Sequence, residues 1–559
     1  MKKRKLALLT LLSIPALSLT ACSDFFDMFY FGFGGTENGG YQSISTPPAG
    51  DDTPHYAPTE YTYDAYVKNN CYPISATPTS GTANILVIPI WFKDSNSIIS
   101  ISKRQDVKDD IRKAYFGSNE EVGWRSVKTY YEEESHGKLT ITGKVSDWYE
   151  CGENYRQYGV DGNGLPNTTA LLNNAMNWYF TNNPSESRTD YDKDKDGYID
   201  GVMLIYAAPD FQALRYESYS NLWAYCYWIQ DKTAKSLSNP GVNAFFWASY
   251  DFMYGSGVAR SLTGGSYASG DTSHLTIDTH TYIHEMGHMF GLMDYYDYTK
   301  QCDPAGSFSM QDANIGGHDP FSSFALGWGK AYVPVDTTTI NLKPFSTSGE
   351  LIILKPNPES YGYSPFDEYL ALEYYTPTGL NQFDTHYKYM STEGKSYSMG
   401  SQIPGIRLWH VDARLLYPQN LIGGHYTYRE DYVTTNPSFV NTYGVTLMMS
   451  NTYYKAGDTD QHLSPLGQSY SNYNLLQLIR NSSSYTHQVP NKSANAFSAS
   501  SLFTFGDVFS METYGKQFVN SKNKGGTQIG VFNTQEELPF TFEVNGCMEE
   551  YASITITKI

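Results

Sequence analysis

The chain has 559 residues, of which 40% are hydrophobic and 17% are charged, a composition typical of a globular protein and not of a disordered one. Its length exceeds what one hydrophobic core supports, so we expect at least two domains. The formal net charge is −19, and so acidic a surface argues against nucleic acids and anionic membranes as partners.

The first 21 residues have the features of a secretory signal peptide. Residues 2–5 are all basic, residues 6–19 are mostly apolar, and small residues precede Cys22. Because this cysteine resembles that of a bacterial lipobox, we predict cleavage before Cys22 and lipid attachment to its thiol. The protein would then be exported and lipid-anchored to the bacterial cell surface or outer membrane, with shedding to the extracellular space left open. The apolar run is too short to span a bilayer comfortably, so membrane contact would be through the lipid only.

Residues 22–80 are rich in Gly, Ser, Thr, Pro, Asp and Tyr, which predicts a tether between the lipid and the first domain. A short pro-segment is the alternative, and Cys71 would then be a candidate for capping a metal site. None of the six cysteines forms a C-x-x-C pair, so their spacing supports neither a zinc knot nor a redox motif. One or two disulfides would suit an exported protein, and their pairing stays open.

Strands and helices alternate in residues 81–335, the predicted first domain. Buried or half-buried strands are expected at 83–92, 139–145 and 201–207. Helices are expected at 104–115, 124–133, 168–182 and near 280–290. This alternation predicts an α/β (α+β) domain, with a sheet backed by helices.

An acidic loop at 192–200 has the pattern D-x-D-x-D-G-x-x-D. Carboxylates at alternate positions around a glycine turn can surround a calcium ion. The predicted calcium ligands are Asp192, Asp194, Asp196, the carbonyl of Tyr198, and Asp200. An EF-hand loop would carry Glu at its twelfth position, where this chain has Met203, so a distant carboxylate would have to complete the site. A solvated acidic turn is the alternative.

Residues 284–294 have the pattern H-E-x-x-H-x-x-G-x-x-D, the most specific motif of the chain. On a helix, His284 and His288 lie on one face and can bind the same metal ion. Glu285 follows the first of these ligands and can act as general base toward a water at the metal. The motif therefore predicts a zinc peptidase site, and the alternative is a buried helix with two structural histidines.

The third zinc ligand is predicted to follow a turn. Gly291 allows the helix to end in a left-handed conformation, so that the chain can fold back and bring Asp294 to the metal. Three protein ligands leave a fourth position for water, which is typical of catalytic zinc. Asp297 is the rival for this third position.

Several further residues flank the predicted zinc site in sequence. Met310 follows the motif at the place expected for the Met-turn of metzincin peptidases, although a lone methionine is more often simple core packing. Asp278, His280 and His318 are expected to support the site and not to bind the metal.

Short strand-like runs separated by turn residues occupy residues 336–559, the predicted second domain. They lie at 338–342, 351–354, 369–373, 406–411, 445–449, 475–479, 540–544 and 552–556. This pattern predicts an all-β region of the β-sandwich type.

These motifs together resemble the immune inhibitor A-like (thuringilysin) family of secreted zinc metallopeptidases. The resemblance covers roughly residues 80–415 and rests on the zinc motif through Asp297, the acidic loop, and 130–139, 309–310, 320–321, 325–328, 368–373 and 405–412. It implies a metzincin-like catalytic domain with one zinc ion, structural calcium and a following β-rich domain. By the matched motif, His284 and His288 are ligands and Glu285 is the catalytic base. The chain departs from the family in showing no long propeptide, so the family's mode of latency is not carried over.

We therefore expect a surface-anchored, zinc-dependent endopeptidase that acts on extracellular proteins. Its partner would be a protein or peptide substrate, with no nucleic acid, and the chain would be a monomer. The alternative is a surface adhesin or glycan-binding lipoprotein that uses the β-rich region, a hypothesis motivated by the 49 tyrosines. The intact Glu285 argues against a purely non-catalytic role. Cleavage specificity and the oxyanion-stabilising residue stay open.

Overall fold

The computed structural model describes residues 53–68, 77–159, 164–210, 222–229, 232–255, 277–298, 304–312, 314–386, 388–390, 396–398, 400–418, 420–422, 425–427, 432–439, 446, 448–451, 474–483, 501–518 and 532–559. The predicted signal peptide, Cys22 and Cys71 lie outside these ranges. Among the residues that are described, no helix is long and apolar enough to cross a bilayer. Three cysteines fall within the ranges, and Cys151, Cys226 and Cys547 are free thiols.

The predicted catalytic domain, residues 81–335, is built on a six-stranded sheet, named the catalytic sheet, in which five strands follow one path. In spatial order these five strands are Leu139–Val145, Gly81–Trp91, Val202–Tyr206, Ala244–Ser249 and Tyr225–Trp228. The first four are parallel and the last, an edge strand, is antiparallel to its neighbour. Tyr149–Glu150 adds a short parallel pairing to Gly81–Trp91. The predicted α/β character is thus confirmed, while the strands Ala244–Ser249 and Tyr225–Trp228 were not predicted.

The uninterrupted apolar run of Gly81–Trp91 is explained by burial on both faces. Ile85 and Val87 contribute to one core, which includes the zinc-motif helix, whereas Leu86 and Ile88 contribute to another. Successive side chains of a strand point to opposite faces, so a strand covered on both sides needs apolar residues throughout.

The α-helices in the described part of this region are Arg104–Phe116, Asn119–Val122, Val127–Glu134, Arg156–Gly159, Gly164–Asn182, Phe252–Gly255, His280–Met289 and Pro320–Ala325. Direct contacts with strands of this sheet are made by Arg104–Phe116, Val127–Glu134 and His280–Met289. The helix predicted at 124–133 begins later, at Val127, because Ser126 caps it: the Ser126 Oγ accepts a hydrogen bond from the Thr129 N–H at 3.2 Å.

Two further sheets form the β-rich region. The central sheet has six strands in the order His55–Tyr56, Lys330–Tyr332, Glu350–Leu354, Glu368–Tyr375, Gly405–Asp412 and Leu476–Ile479. The outer sheet is antiparallel, in the order Val508–Phe509, Phe540–Cys547, Ala552–Lys558 and Thr338–Leu342. Shorter elements are the strands Lys388–Met390, Ser396–Ser398, Leu415–Leu416, Val433–Thr434, Asn420–Ile422 and His425–Thr427 and the helices Tyr63–Lys68, Phe345–Ser348, Gln382–His386 and Met511–Tyr514. The strand predicted at 445–449 is wrong at its described positions, which have no strand structure.

The central sheet buries both of its faces. Leu351, Ala371 and Trp409 face the core that includes the catalytic domain. The alternate residues, such as Ile352 and Leu372, share a second core with the outer sheet. All residues are buried in three of its strands, Glu350–Leu354, Glu368–Tyr375 and Gly405–Asp412. The β-rich region is therefore packed onto the catalytic domain over a whole sheet face.

Part of the segment 22–80, predicted to be a tether or short pro-segment, belongs to the folded body. His55–Tyr56 pairs with Lys330–Tyr332, at the edge of the central sheet. Tyr63 and Tyr66 are fully buried, and the Tyr63 hydroxyl lies 3.2 Å from the Met448 sulfur. Composition did not predict that this segment packs on the folded body, because the contact is made by two buried tyrosines and not by a long apolar run.

A buried ion pair within the central sheet also contacts the segment that follows the zinc motif. The Arg407 guanidinium lies 4.4 Å from the ring centroid of Phe308, in the segment after the zinc motif, and 4.3 Å from that of Tyr375. It donates a hydrogen bond to Glu373 at 3.1 Å, and the Trp409 indole donates to the same carboxylate oxygen at 2.9 Å. Burial raises the pKa of Glu373, against the opposing attraction of Arg407. Removing either charge would leave the other buried without a partner, which strongly destabilises a folded protein.

Replacing Arg407 should therefore destabilise the whole protein. We expect Arg407→Met to lower the free energy of unfolding by about 3–5 kcal/mol, because it leaves the Glu373 carboxylate buried without its cation. The matched control is Lys558→Met, which removes an exposed ion pair with Glu359 and should cost less than about 1 kcal/mol. Urea unfolding followed by fluorescence measures both. Equal midpoints for the two variants would contradict this account of the buried ion pair.

Candidate metal centre

The zinc-motif helix, His280–Met289, is held against the catalytic sheet and a neighbouring helix. The Tyr282 hydroxyl donates to the carbonyl of Ser249, at the end of a sheet strand, at 2.8 Å. From the other side, the Tyr131 hydroxyl donates to the carbonyl of Ile283 at 2.7 Å. These contacts fix the rotation of the helix and so determine where its histidines point.

A turn after the helix brings the third candidate ligand back. Gly291 has a φ of 98°, in the region that favours glycine, and the Leu292 N–H bonds the carbonyl of Gly287 at 3.2 Å. Just after this turn, the Tyr295 N–H donates to the carbonyl of Gln311 at 2.8 Å. Asp294 is thereby placed beside the two histidines, as the spacing predicted.

His284, His288 and Asp294 offer one ligand atom each, and these atoms lie within 4.8 Å of one another. The Nε2 atoms of the histidines are 3.0 Å and 3.3 Å from the same oxygen, Oδ1 of Asp294. Each Nδ1–H donates to a backbone carbonyl, that of Met310 at 2.7 Å and that of Leu292 at 2.8 Å. A catalytic zinc ion is typically bound by such a set of two imidazole nitrogens and one carboxylate oxygen. The hydrogen bonds of Nδ1 to backbone carbonyls fix the orientation of both rings.

The electrostatics of the three groups are strongly coupled. Burial lowers the pKa of His288, but the Asp294 carboxylate outweighs it and raises this pKa to about 9. Burial likewise raises the pKa of Asp294, but His288 and His284 outweigh it and hold that pKa below its usual range. The carboxylate is thus kept ionised in a buried position, which favours a bound cation.

Comparison with known proteins gives a separate indication of a metallopeptidase. Residues 93–234 match the family described as "Immune inhibitor A peptidase M6, catalytic domain". The pre-pro-metalloprotease PrtV, from two strains of Vibrio cholerae serotype O1, is 27% identical over 243 residues, which cover 38% of this chain and 24% of that protein. The chain contains an immune inhibitor A-like metallopeptidase domain.

The family match and the zinc motif are separate observations. The matched range ends at residue 234, well before the helix that carries His284 and His288. The family match therefore rests on residues 93–234, whereas the candidate metal ligands are identified by their own geometry. The resemblance to this family is confirmed, and the chain spans about a quarter of the length of the curated relatives it matches.

The remaining predicted residues of the zinc site have different positions. Glu285 is 1% exposed, and its charge contributes to the raised pKa of His288. Met310 is buried and supplies the carbonyl that orients His284. Asp297, the rival ligand, is also buried, but among the described residues the three-ligand group contains Asp294 instead.

The acidic loop forms the second group of converging carboxylates. Asp192, Asp194 and Asp200 offer oxygens within 4.8 Å of one another. Asp196 is not part of this group, and its Oδ1 accepts the Tyr198 N–H at 2.8 Å. Burial, together with the neighbouring carboxylates, raises the pKa of Asp200 to about 8 and that of Asp196 to about 6. Such mutual repulsion would be relieved by a cation.

Three contacts of the zinc site were not predicted from the sequence. The Tyr298 hydroxyl donates to Oδ2 of Asp294 at 2.5 Å. The side chain of Gln311 lies 3.4 Å from Nδ1 of His288, and Trp228 of the edge strand packs edge-on to the same imidazole with ring centroids 6.3 Å apart. The role of Tyr298 could not be predicted, because no local feature of the sequence distinguishes it from the neighbouring tyrosines.

His318 is a buried histidine near the metal centre. Its ring packs with those of Tyr130, Tyr131 and Trp328 at centroid distances of 6.0, 5.9 and 6.4 Å. Neither ring nitrogen has a hydrogen-bond partner among the described residues. Burial, reinforced by repulsion from the zinc-site histidines, lowers its pKa to about 3. The imidazole is therefore neutral in the folded protein.

The neutral His318 should make the metal-free protein sensitive to acid. Its folded pKa is below the unfolded value of about 6.5, so the unfolded state binds a proton first and stability falls as pH decreases from about 6.5 towards 3. Between pH 7 and 5 this amounts to about 2 kcal/mol. We expect His318→Phe to lose that much less stability over this interval in urea unfolding. Parallel pH dependences of the variant and the native protein would refute the assignment.

Proposed function

We propose that the protein is a zinc-dependent endopeptidase that hydrolyses peptide bonds of extracellular proteins. The observation that carries the proposal is the convergence of His284, His288 and Asp294 beside Glu285, in a chain with an immune inhibitor A-like metallopeptidase domain. The three ligands leave room for water and substrate, as in catalytic zinc sites.

The roles of the residues follow from their positions. When bound, zinc supplies a Lewis acid that activates water and polarises the scissile carbonyl. His284 and His288 present Nε2 because their Nδ1 atoms are committed to backbone carbonyls. Glu285 accepts the proton of the attacking water and delivers it to the leaving amine. Its burial strengthens these interactions by excluding bulk water.

The peptidase function is favoured over the adhesin alternative. The central sheet is covered by the catalytic domain on one side and the outer sheet on the other. We propose that residues 336–559 form a β-sandwich-type region whose role is to support the catalytic domain. The shared core of the two sheets supports this proposal.

We also propose that the enzyme is exported and held at the cell surface by a lipid on Cys22. The basic and apolar leader supports export, and the relatives named pre-pro-metalloprotease are consistent with it. On this proposal the enzyme is a monomer, its substrate is a protein or peptide, and the lipid is its membrane contact.

Calcium is the second metal that we propose. Asp192, Asp194 and Asp200 would provide carboxylate oxygens, with Asp196 and the Tyr198 carbonyl orienting the loop or completing the shell. The Asp200 oxygens also accept the N–H groups of Asn84, at 2.6 Å, and Lys193, at 2.9 Å. The ion would therefore stabilise the attachment of this loop to the strand Gly81–Trp91.

The catalytic role of Glu285 is tested by an isosteric substitution. We expect Glu285→Gln to retain one zinc ion per chain and to lose casein-hydrolysing activity by roughly 10²–10⁴-fold, since the proton acceptor is missing. Glu120→Gln, on an exposed helix position, is the control and should keep full activity. Zinc is quantified by elemental analysis and turnover by release of soluble peptides with and without a chelator. Turnover by Glu285→Gln at the native rate would disprove the mechanism.

The calcium site is tested through thermal stability. Calcium at 100 times its dissociation constant should stabilise the protein by about 2.7 kcal/mol, seen as a higher Tm in calorimetry. We expect Asp194→Asn to abolish most of this increase. Asp109→Asn, another exposed aspartate, should preserve it. A Tm of the native protein that does not respond to calcium would favour the solvated acidic turn instead.

A further inference from the structure

We propose that Tyr298 is a positioning residue that makes Asp294 bind zinc through a single oxygen. The inference rests on the proposed zinc function and adds a residue that determines the geometry of the site. Tyr298 acts through the carboxylate of Asp294 and is not itself a metal ligand in this arrangement.

The two oxygens of Asp294 have different environments. Oδ1 faces both histidines, 3.0 Å from Nε2 of His284 and 3.3 Å from Nε2 of His288. Oδ2 accepts a 2.5 Å hydrogen bond from the Tyr298 hydroxyl. Asp294 is 5% exposed, so water has little access to replace that bond. The hydroxyl thus occupies one oxygen and leaves the other directed at the metal position.

Aromatic packing holds Tyr298 in place. Its ring meets that of Tyr296 edge-on, with centroids 5.2 Å apart and an angle of 90°. Tyr296 in turn lies nearly parallel to the His284 imidazole at 6.5 Å. A chain of contacts therefore runs from one ligand through two tyrosines to the other ligand. Such a closed arrangement restricts rotation of both Tyr298 and Asp294.

A single-oxygen binding mode matters for the reaction. A carboxylate that coordinates through both oxygens adds a ligand and takes up a position needed by water or substrate. A hydrogen bond from an outer residue prevents this, and loss of such a partner typically weakens metal affinity 10–100-fold. Tyr298 would accordingly affect both the affinity for zinc and the number of ligands around it.

The experiment compares Tyr298→Phe with the native full-length protein, each prepared without metal. Zinc affinity is measured by competition with a chromophoric chelator, and coordination is read from the visible absorption of the Co²⁺-substituted protein. We expect Tyr298→Phe to bind zinc about 10-fold more weakly. Its Co²⁺ absorption should be less intense than that of the native protein, because a second Asp294 oxygen raises the coordination number.

The matched control is Tyr295→Phe, which removes a neighbouring tyrosine hydroxyl whose hydrogen bond, 2.7 Å long, is to Ser322 and not to a ligand. It should leave both zinc affinity and the Co²⁺ spectrum unchanged. A Co²⁺ spectrum of Tyr298→Phe identical to that of the native protein would overturn the positioning role, whatever the affinity. Failure of the native protein to bind zinc or Co²⁺ would instead refute the proposed function.

Discussion

The burial of the central sheet on both faces is the constraint on which the rest of the structure depends. Because one face belongs to the catalytic core, the segment that follows the zinc motif is held by the β-rich region. The Leu478 N–H bonds the carbonyl of Pro304 at 2.9 Å, and Asn451 donates to the carbonyl of Tyr295 at 2.7 Å. The Asp384 carboxylate accepts the N–H of Gly316 at 2.8 Å. The segments that carry Asp294 and Met310, the predicted third ligand and Met-turn, are therefore held by the β-rich region as well.

The proposed metal site is preorganised by groups that are not themselves candidate ligands. Backbone carbonyls of Met310 and Leu292 set the direction of the two imidazoles, and the turn at Gly291 sets the distance to Asp294. Ionised Asp294 is stabilised in a buried position by the histidines themselves. A cation that replaces a proton there meets ligands that need little rearrangement, which is the physical basis of tight binding by such sites.

The acidic loop is also connected to the body of the catalytic domain. Asp200 is fully buried and bonds the backbone of Asn84, while its own carbonyl accepts a hydrogen bond from Thr77. Thr79 accepts the Trp328 indole N–H at 2.7 Å. The N-terminal segment thus links the proposed calcium loop to the central sheet region. A cation in the loop would stabilise this junction as well as the loop itself.

Features encoded by local pattern could be predicted from the sequence. Residue periodicity predicts the strand Leu139–Val145 and the helix Arg104–Phe116. The fixed spacing of residues on one helix and its following turn predicts that His284, His288 and Asp294 come together. The tertiary structure alone decided that Tyr63 and Tyr66 dock, that Tyr298 bonds Asp294, and which loop aspartates converge. These contacts depend on distance in space between segments whose composition is ordinary, so no local signal distinguishes them. Sequence determined the chemistry of the site, and the packing of three sheets determined its geometry.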